Sequence, residues 1–174
     1  MPILTPLLAT EIMPNIVITN TTPIVTLLGI GQLELLKNLY GQIIIPESVA
    51  KEVEQGKGKR FYADLSQLDW IKIQSIKETA LFQYLLNDLD EGEAAVITLA
   101  QELNAQLLII DERLGRRHAQ LKGFVCIGTL GLLLKAKEKG FIPSIKPLLA
   151  KMQTNGIWLE ATLIEQILTK ANEN

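Results

Sequence analysis

Four positions in this 174-residue chain could supply oxygen ligands to a single place: Asn20, Glu52, Glu93 and Asp111. Asn20 and Asp111 each come directly after a short apolar run, Ile16 to Thr19 in one case and Leu107 to Ile110 in the other. A carboxylate at the end of a buried run is costly unless it finds a partner. Asp111 therefore has two readings, as the cap of a helix beginning near Glu112 or as a catalytic and metal-ligating acid. Glu93 lies on the same side of its helix as the apolar stripe Val96, Ile97, Ala100 and Leu103, so its charge points toward the core. Gly92 beside it permits close backbone approach. The plainer reading of Glu93 is a capping box with Asp90. Glu52, between Val49 and Val53 on a helix that also carries Lys51 and Glu54, reads in isolation as a solvated charge. Glu47 reads as an acid placed against the helix dipole.

Carboxylates from separate elements can converge on Mg²⁺ or Mn²⁺, hard ions that prefer oxygen donors and leave positions for phosphate oxygens. Two such ions would stabilise both the attacking and the leaving oxygen of a phosphodiester. That chemistry needs neither histidine nor cysteine, and the chain has one of each, His118 and Cys126. A single cysteine excludes an internal disulfide and a cysteine-based zinc cluster.

The elements that must position these groups alternate in type. Apolar runs at Ile16 to Thr19, Ile43 to Ile45, Leu107 to Ile110 and Phe124 to Ile127 predict buried strands. Trp70 to Ile73 alternates and predicts an edge strand. Helices are predicted from Thr22-Pro23, read as a cap followed by proline at the first helical position, and at Glu47 to Glu54, Asp90 to Leu103, Glu112 to Leu121 and Thr129 to Lys139. Two more are predicted after Pro143, divided near Asn155-Gly156. Strands alternating with helices indicate a three-layer α/β/α fold around a central parallel sheet of four to five strands. In such sheets ligands gather at the carboxyl ends of the strands, where strand order reverses. Residues 1–13 read as an N-terminal extension, with Met13 a possible start of translation, and residues 14–174 as a single domain.

The 17 basic and 19 acidic residues nearly cancel, so any polyanion must be held locally. Arg113 and Arg116 or Arg117 share a helix face next to Asp111 and could hold phosphates, or be ordinary surface. Lys57, Lys59 and Arg60 form a basic loop that reads more simply as solvated surface. Thr21 could touch a phosphate or act as a cap, Thr129 reads as a helix cap, and His118 as a surface or packing residue. The N-terminus lacks the basic start and long apolar run of a signal peptide. No segment approaches the roughly 18 apolar residues of a membrane span. The chain therefore reads as cytoplasmic.

With these positions in place, the chain resembles PIN-domain nucleases from about Ile16 to its end. The matching stretches are Ile16-Val-Ile-Thr-Asn20-Thr-Thr-Pro23, Ile45-Pro-Glu-Ser-Val-Ala-Lys-Glu52-Val53, Leu89-Asp-Glu-Gly-Glu93-Ala-Ala-Val-Ile97, Leu107-Leu-Ile-Ile-Asp111-Glu-Arg113 and Gly128-Thr-Leu-Gly131. The last, with the tail after Gly140-Phe-Ile-Pro143, is similar to a bacterial and archaeal branch of PIN proteins akin to VapC-type toxins. The resemblance implies a PIN-like fold and Mg²⁺- or Mn²⁺-dependent cleavage of RNA. It also implies a small antitoxin partner and a homodimer. Carried over by position, Glu52, Glu93 and Asp111 match the acidic ligands, Glu112 a frequent additional acid, and Asp90 a second-tier ligand candidate. Asn20 departs from the pattern, which usually has Asp there. Its amide oxygen can still ligate a metal but adds no negative charge and cannot act as a general base.

Two functions are therefore expected to compete: a metal-dependent endoribonuclease, and a catalytically weak or inactive PIN-like module that binds RNA or protein. A phosphoaccepting receiver fits less well, because the first strand does not end on an acidic cluster.

Overall fold

In the computed structural model, residues 15–174 are described. The expected extension, 1–13, lies outside the described residues. Five strands form one sheet: β1 (Val17–Thr19), β2 (Ile43–Pro46), β3 (Ile71–Gln74), β4 (Leu107–Ile109) and β5 (Cys126–Ile127). Every neighbouring pair is parallel, and the order is β3-β2-β1-β4-β5. The three central strands carry the continuous apolar runs that burial on both faces requires: Val17, Ile18, Ile43, Ile45, Leu108 and Ile109 are all at most 1% exposed. β3 is a wetter edge strand, as its sequence predicts, but its burial does not alternate: Trp70 and Ile71 are buried while Lys72 and Ile73 are exposed.

Nine helices are described: α1 (Thr21–Gly29), α2 (Leu35–Tyr40), α3 (Glu47–Glu54), α4 (Thr79–Leu85), α5 (Glu91–Leu103), α6 (Arg113–Leu121), α7 (Thr129–Glu138), α8 (Lys146–Thr154) and α9 (Ala161–Lys170). They flank the sheet in a three-layer α/β/α arrangement. None is long and apolar enough to cross a membrane. α2 and α4 had no distinct sequence signal. The start of α1 corrects the sequence reading: Asn20, not Thr22, is the N-cap, and Pro23 is the third helical residue. A proline there still removes no helical hydrogen bond, because the first four N–H groups have no partner within the helix.

α5 anchors the core. Every residue from Gly92 to Ala100 is buried, including Glu93. Its end is set by Asn104, which adopts the left-handed conformation (φ 51°) that closes a helix.

From β1 the chain runs outward through β2 to β3, then returns across the sheet to add β4 and β5 on the other side. The order therefore reverses between β1 and β4, and right-handed crossovers send the connections on the two sides to opposite faces. A crevice is thereby left above the ends of β1 and β4. Asn20 and Asp111 both emerge there.

Candidate active site

Asn20 leaves β1 with its N–H donating to the Ile109 carbonyl at 3.1 Å, so the ends of β1 and β4 stay in register up to the crevice. Its side chain is 3% exposed and does not cap α1. The amide Nδ2 donates to Glu112 Oε2 at 3.4 Å, and Oδ1 is buried without a partner among the described residues. An unsatisfied buried acceptor is uncommon enough to need a reason.

Gly92 shows what surrounds that oxygen. A Cβ on Gly92 would stand 2.9 Å from Asn20 Oδ1, 3.4 Å from Asp90 Oδ1 and 3.4 Å from Glu52 Oε2. Three oxygens from three different elements thus close on the face of Gly92, where any side chain would collide with the Asn20 amide. Glu52 is held toward it by Thr21, whose hydroxyl donates to Glu52 Oε2 at 2.7 Å. Its charge therefore does more than face solvent, although the residue is exposed.

Glu93 and Asp111 are seated against two other glycines. Glu93 closes the capping box anticipated for α5: Glu93 N–H donates to Asp90 Oδ1 at 2.8 Å, and Asp90 N–H donates to Glu93 Oε2 at 3.2 Å. Its remaining oxygen packs on α6, where a Cβ on Gly115 would be only 2.6 Å from Glu93 Oε1. The core-facing acid and the cap are one and the same residue.

Asp111 does not cap α6, whose N-cap is Glu112. It reaches instead to the start of α7, accepting from Thr129 N–H and from the Thr129 hydroxyl, each at 2.6 Å. Thr129 accordingly does not cap its own helix, contrary to its sequence reading. Gly128 makes room: a Cβ there would lie 3.0 Å from Asp111 Oδ1 and 3.2 Å from Arg116 Nη1. The sequence offered no pairing signal for Asp111 and Thr129, which meet only because β5 brings α7 alongside β4.

Glu112 links the groups. Besides the Asn20 amide it accepts from the Thr22 hydroxyl. Its charge raises the pKa of both Glu93 and Asp111. For Glu93 the larger cause is burial, with the Asp90 and Glu112 carboxylates adding to it and the Asp90 N–H opposing. For Asp111 burial again leads, opposed by the two Thr129 hydrogen bonds and by Arg116. Both acids sit where negative charge is uncomfortable and a cation would relieve it.

Among the described residues, no three His, Cys, Asp or Glu side chains are gathered into a ready-made metal cage. The oxygens that meet at the face of Gly92 come from two carboxylates and one amide. That donor set, an unpartnered amide oxygen with two carboxylates, is all oxygen and suits a hard divalent cation.

Beside the acids, Arg113, Arg116 and Arg117 line one open groove of about 690 Å³ with Leu114 and Gln120. Among the described residues none of the three is in an ion pair. The Lys57 loop differs: Lys57 pairs with Glu54 at 3.7 Å and Arg60 lies over the Phe61 ring. His118 Nε2 lies 3.2 Å from Asp88 Oδ2. Glu47 accepts from the Ser75 hydroxyl at 3.0 Å.

No curated protein matches the chain. A family model described as a PIN domain, however, matches residues 16–173, nearly the whole chain and all of the elements described above. The five-stranded parallel sheet, the crevice at its switch point and the acids collected there accord with that match: the chain belongs to the PIN-domain family.

Proposed function

We propose that the protein is a Mg²⁺- or Mn²⁺-dependent endoribonuclease that hydrolyses RNA phosphodiester bonds, with residues 14–174 acting as one domain. The observation that carries this reading is the set of oxygens at the face of Gly92. There a buried, unpartnered amide oxygen of Asn20 faces Glu52 and Asp90, in a crevice that Glu93, Asp111 and Glu112 also border. Asn20, Glu52 and Asp90 would hold one cation, and Glu93, Asp111 and Glu112 complete the acidic set. A divalent ion bound there supplies Lewis-acid polarisation of the phosphate and charge neutralisation. Arg113 and Arg116 supply the cationic groove that fixes the RNA backbone beside these acids. Thr21 orients Glu52 and spends its one hydroxyl hydrogen doing so, which leaves it no donor for a phosphate oxygen. Within the family resemblance, a cytoplasmic toxin silenced by a small antitoxin, acting as a homodimer, is the role we favour.

The test is cleavage of a mixed-sequence RNA by purified protein with Mn²⁺. Asp111→Asn keeps an acceptor for Thr129 while removing the charge, and is expected to abolish cleavage. Undiminished cutting by that variant sinks the assignment.

A second reading rests on Asn20 itself. Its amide already donates a hydrogen bond to the Glu112 carboxylate, which a second carboxylate could not do. That favours a module that binds RNA or protein with little or no catalysis. Wild-type protein that binds RNA yet leaves it intact under every divalent ion would select it.

A further inference from the structure

Of the arginines on α6, Arg113 and Arg117 are exposed, whereas Arg116 is half-buried. Its guanidinium rests against Gly128, on the face that also receives Asp111. A Cβ on that glycine would stand 3.0 Å from Asp111 Oδ1 and 3.2 Å from Arg116 Nη1. Two carboxylates stand beside Arg116, and each is engaged elsewhere. Asp111 accepts from the Thr129 N–H and hydroxyl, each at 2.6 Å. Glu112, one helical turn before Arg116, accepts from the Asn20 amide at 3.4 Å and from the Thr22 hydroxyl. Among the described residues Arg116 makes neither an ion pair nor a side-chain hydrogen bond. Its charge and its fork of donors are left to the groove that it lines.

We propose that Arg116 is a catalytic residue: its guanidinium donates to the non-bridging oxygens of the scissile phosphate and holds them more tightly in the transition state than in the bound substrate. The proposal rests on the ribonuclease reading above. In that reaction a water oxygen bonds to phosphorus and the bond from phosphorus to one ribose oxygen breaks. The water loses a proton and the departing oxygen gains one. Arg116 exchanges no atom or proton, because a guanidinium stays charged. It supplies a planar fork of donors, in place before the reaction, against oxygens whose charge shifts as the bonds change. Three observations separate it from Arg113 and Arg117. Arg116 lies beside Asp111, so a phosphate it holds is at the acids and not further along the strand. Partial burial lowers the local dielectric and strengthens its pull on an anion. Its charge also has no partner in the protein, a cost that an arriving phosphate offsets. An arginine whose task was to hold Asp111 in place would bond to it, and Thr129 already does so.

Single-turnover cleavage of a mixed-sequence RNA with Mn²⁺ reads the chemical step, and RNA binding in excess chelator reads affinity separately. Arg116→Ala is expected to slow cleavage about 10²–10³-fold, the cost of removing one preorganised donor group, and to weaken binding far less. Arg116→Lys keeps the charge without the fork and should recover only part of the rate. Because the side chain bonds to no other residue, the melting temperature of Arg116→Ala should match the wild type. Free guanidinium at millimolar concentration, too dilute to unfold the chain, should restore part of the rate to Arg116→Ala and leave the wild type unaffected. A loss confined to RNA affinity overturns the proposal and returns Arg116 to the phosphate groove. A slower variant that also melts lower and gains nothing from guanidinium overturns it too, and makes the residue structural. Wild-type protein that leaves RNA intact refutes the nuclease reading and this proposal together. Wild-type and Arg116→Ala proteins that cut at the same rate refute this proposal alone.

Discussion

Asp111 uses both carboxylate oxygens on one residue: Thr129 donates its N–H to Oδ1 and its hydroxyl to Oδ2, each at 2.6 Å. The contact joins the end of β4 to the first turn of α7, so the acid is aimed by a neighbouring helix and not by its own. Thr129 is 2% exposed, and water cannot replace it.

Thr129→Val tests that tie. It keeps the shape and the backbone bond and removes the hydroxyl. The expected cost is about 1–3 kcal/mol, the value of a hydrogen bond to a buried charge. The Asp111 pKa should rise further, because the lost bond lowers it in the wild type. Urea denaturation and carboxyl titration by NMR read the two effects. An unchanged denaturation midpoint would show that the hydroxyl bond contributes nothing.

Much of this arrangement was legible in the sequence, for physical reasons. Continuous apolar runs announce buried parallel strands, and an acid or amide directly after one marks the sheet's carboxyl edge. The capping box at Asp90 and Glu93 is local and was readable as such. Relationships across long separations were not. Thr129 could be assigned a cap from its position, but only the pairing of β5 with β4 brings it to Asp111. The Thr21 bond that steadies Glu52 is likewise a contact between helices with no local pattern. The Thr22-Pro23 cap failed because proline is tolerated throughout the first turn, so its position fixes the start only loosely.

Gly115→Ala should be destabilising despite the better helix propensity of alanine. Propensity alone would add about 1 kcal/mol of stability. The new methyl, however, would stand 2.6 Å from Glu93 Oε1 and 3.2 Å from Ile110 Cγ2, and Glu93 cannot retreat without opening its capping box. A net loss of about 1–2 kcal/mol is expected from this overpacking. Removing the obstruction with Glu93→Ala should make Gly115→Ala neutral or stabilising. A double-mutant cycle showing no coupling would contradict the geometry.

Glu173 contributes to the acid end of the stability profile. Its carboxylate accepts from Lys137 Nζ at 2.8 Å, Ser144 Oγ at 2.6 Å, Ile145 N–H at 2.6 Å and Lys146 N–H at 2.9 Å, pinning the segment after α9 to the start of α8. Burial works against the charge, but these partners prevail and draw the pKa down from 4.5 to about 2. A folded-state pKa below the unfolded value stabilises fully above pH 4.5, and the contribution is lost as pH falls toward 2. Glu173→Gln should therefore cost about 1–2 kcal/mol near neutrality. The wild-type and variant curves should converge between pH 4.5 and 2. Parallel curves across that window in thermal melts would rule out this linkage.

Arg113→Ala addresses the groove on α6. If Arg113 holds a phosphate, RNA binding should weaken at low salt, and the slope of log affinity against log salt should fall by about 0.7 for a single strand. The loss should be the same for every sequence, because a phosphate contact reads none. Filter binding across a salt series measures both. An unaltered slope would return Arg113 to ordinary surface.

Asn20→Asp decides whether the amide is a concession or an adaptation. The new carboxylate would replace a donor 3.4 Å from Glu112 Oε2 with a like charge, at a position 3% exposed. Without metal, the variant should therefore melt below the wild type at neutral pH, and acidification should close the gap as one carboxyl of the pair takes a proton. With Mn²⁺ the order should reverse. The extra charge joins the oxygens at the face of Gly92, so divalent affinity should rise about 10-fold or more. The melting temperature should climb with metal concentration more steeply than in the wild type, as binding to the native state alone requires. RNA cleavage by the same samples then separates the two functional readings. Cleavage that emerges only in Asn20→Asp identifies the wild type as a binding module. Comparable cleavage by both identifies the amide as a working ligand.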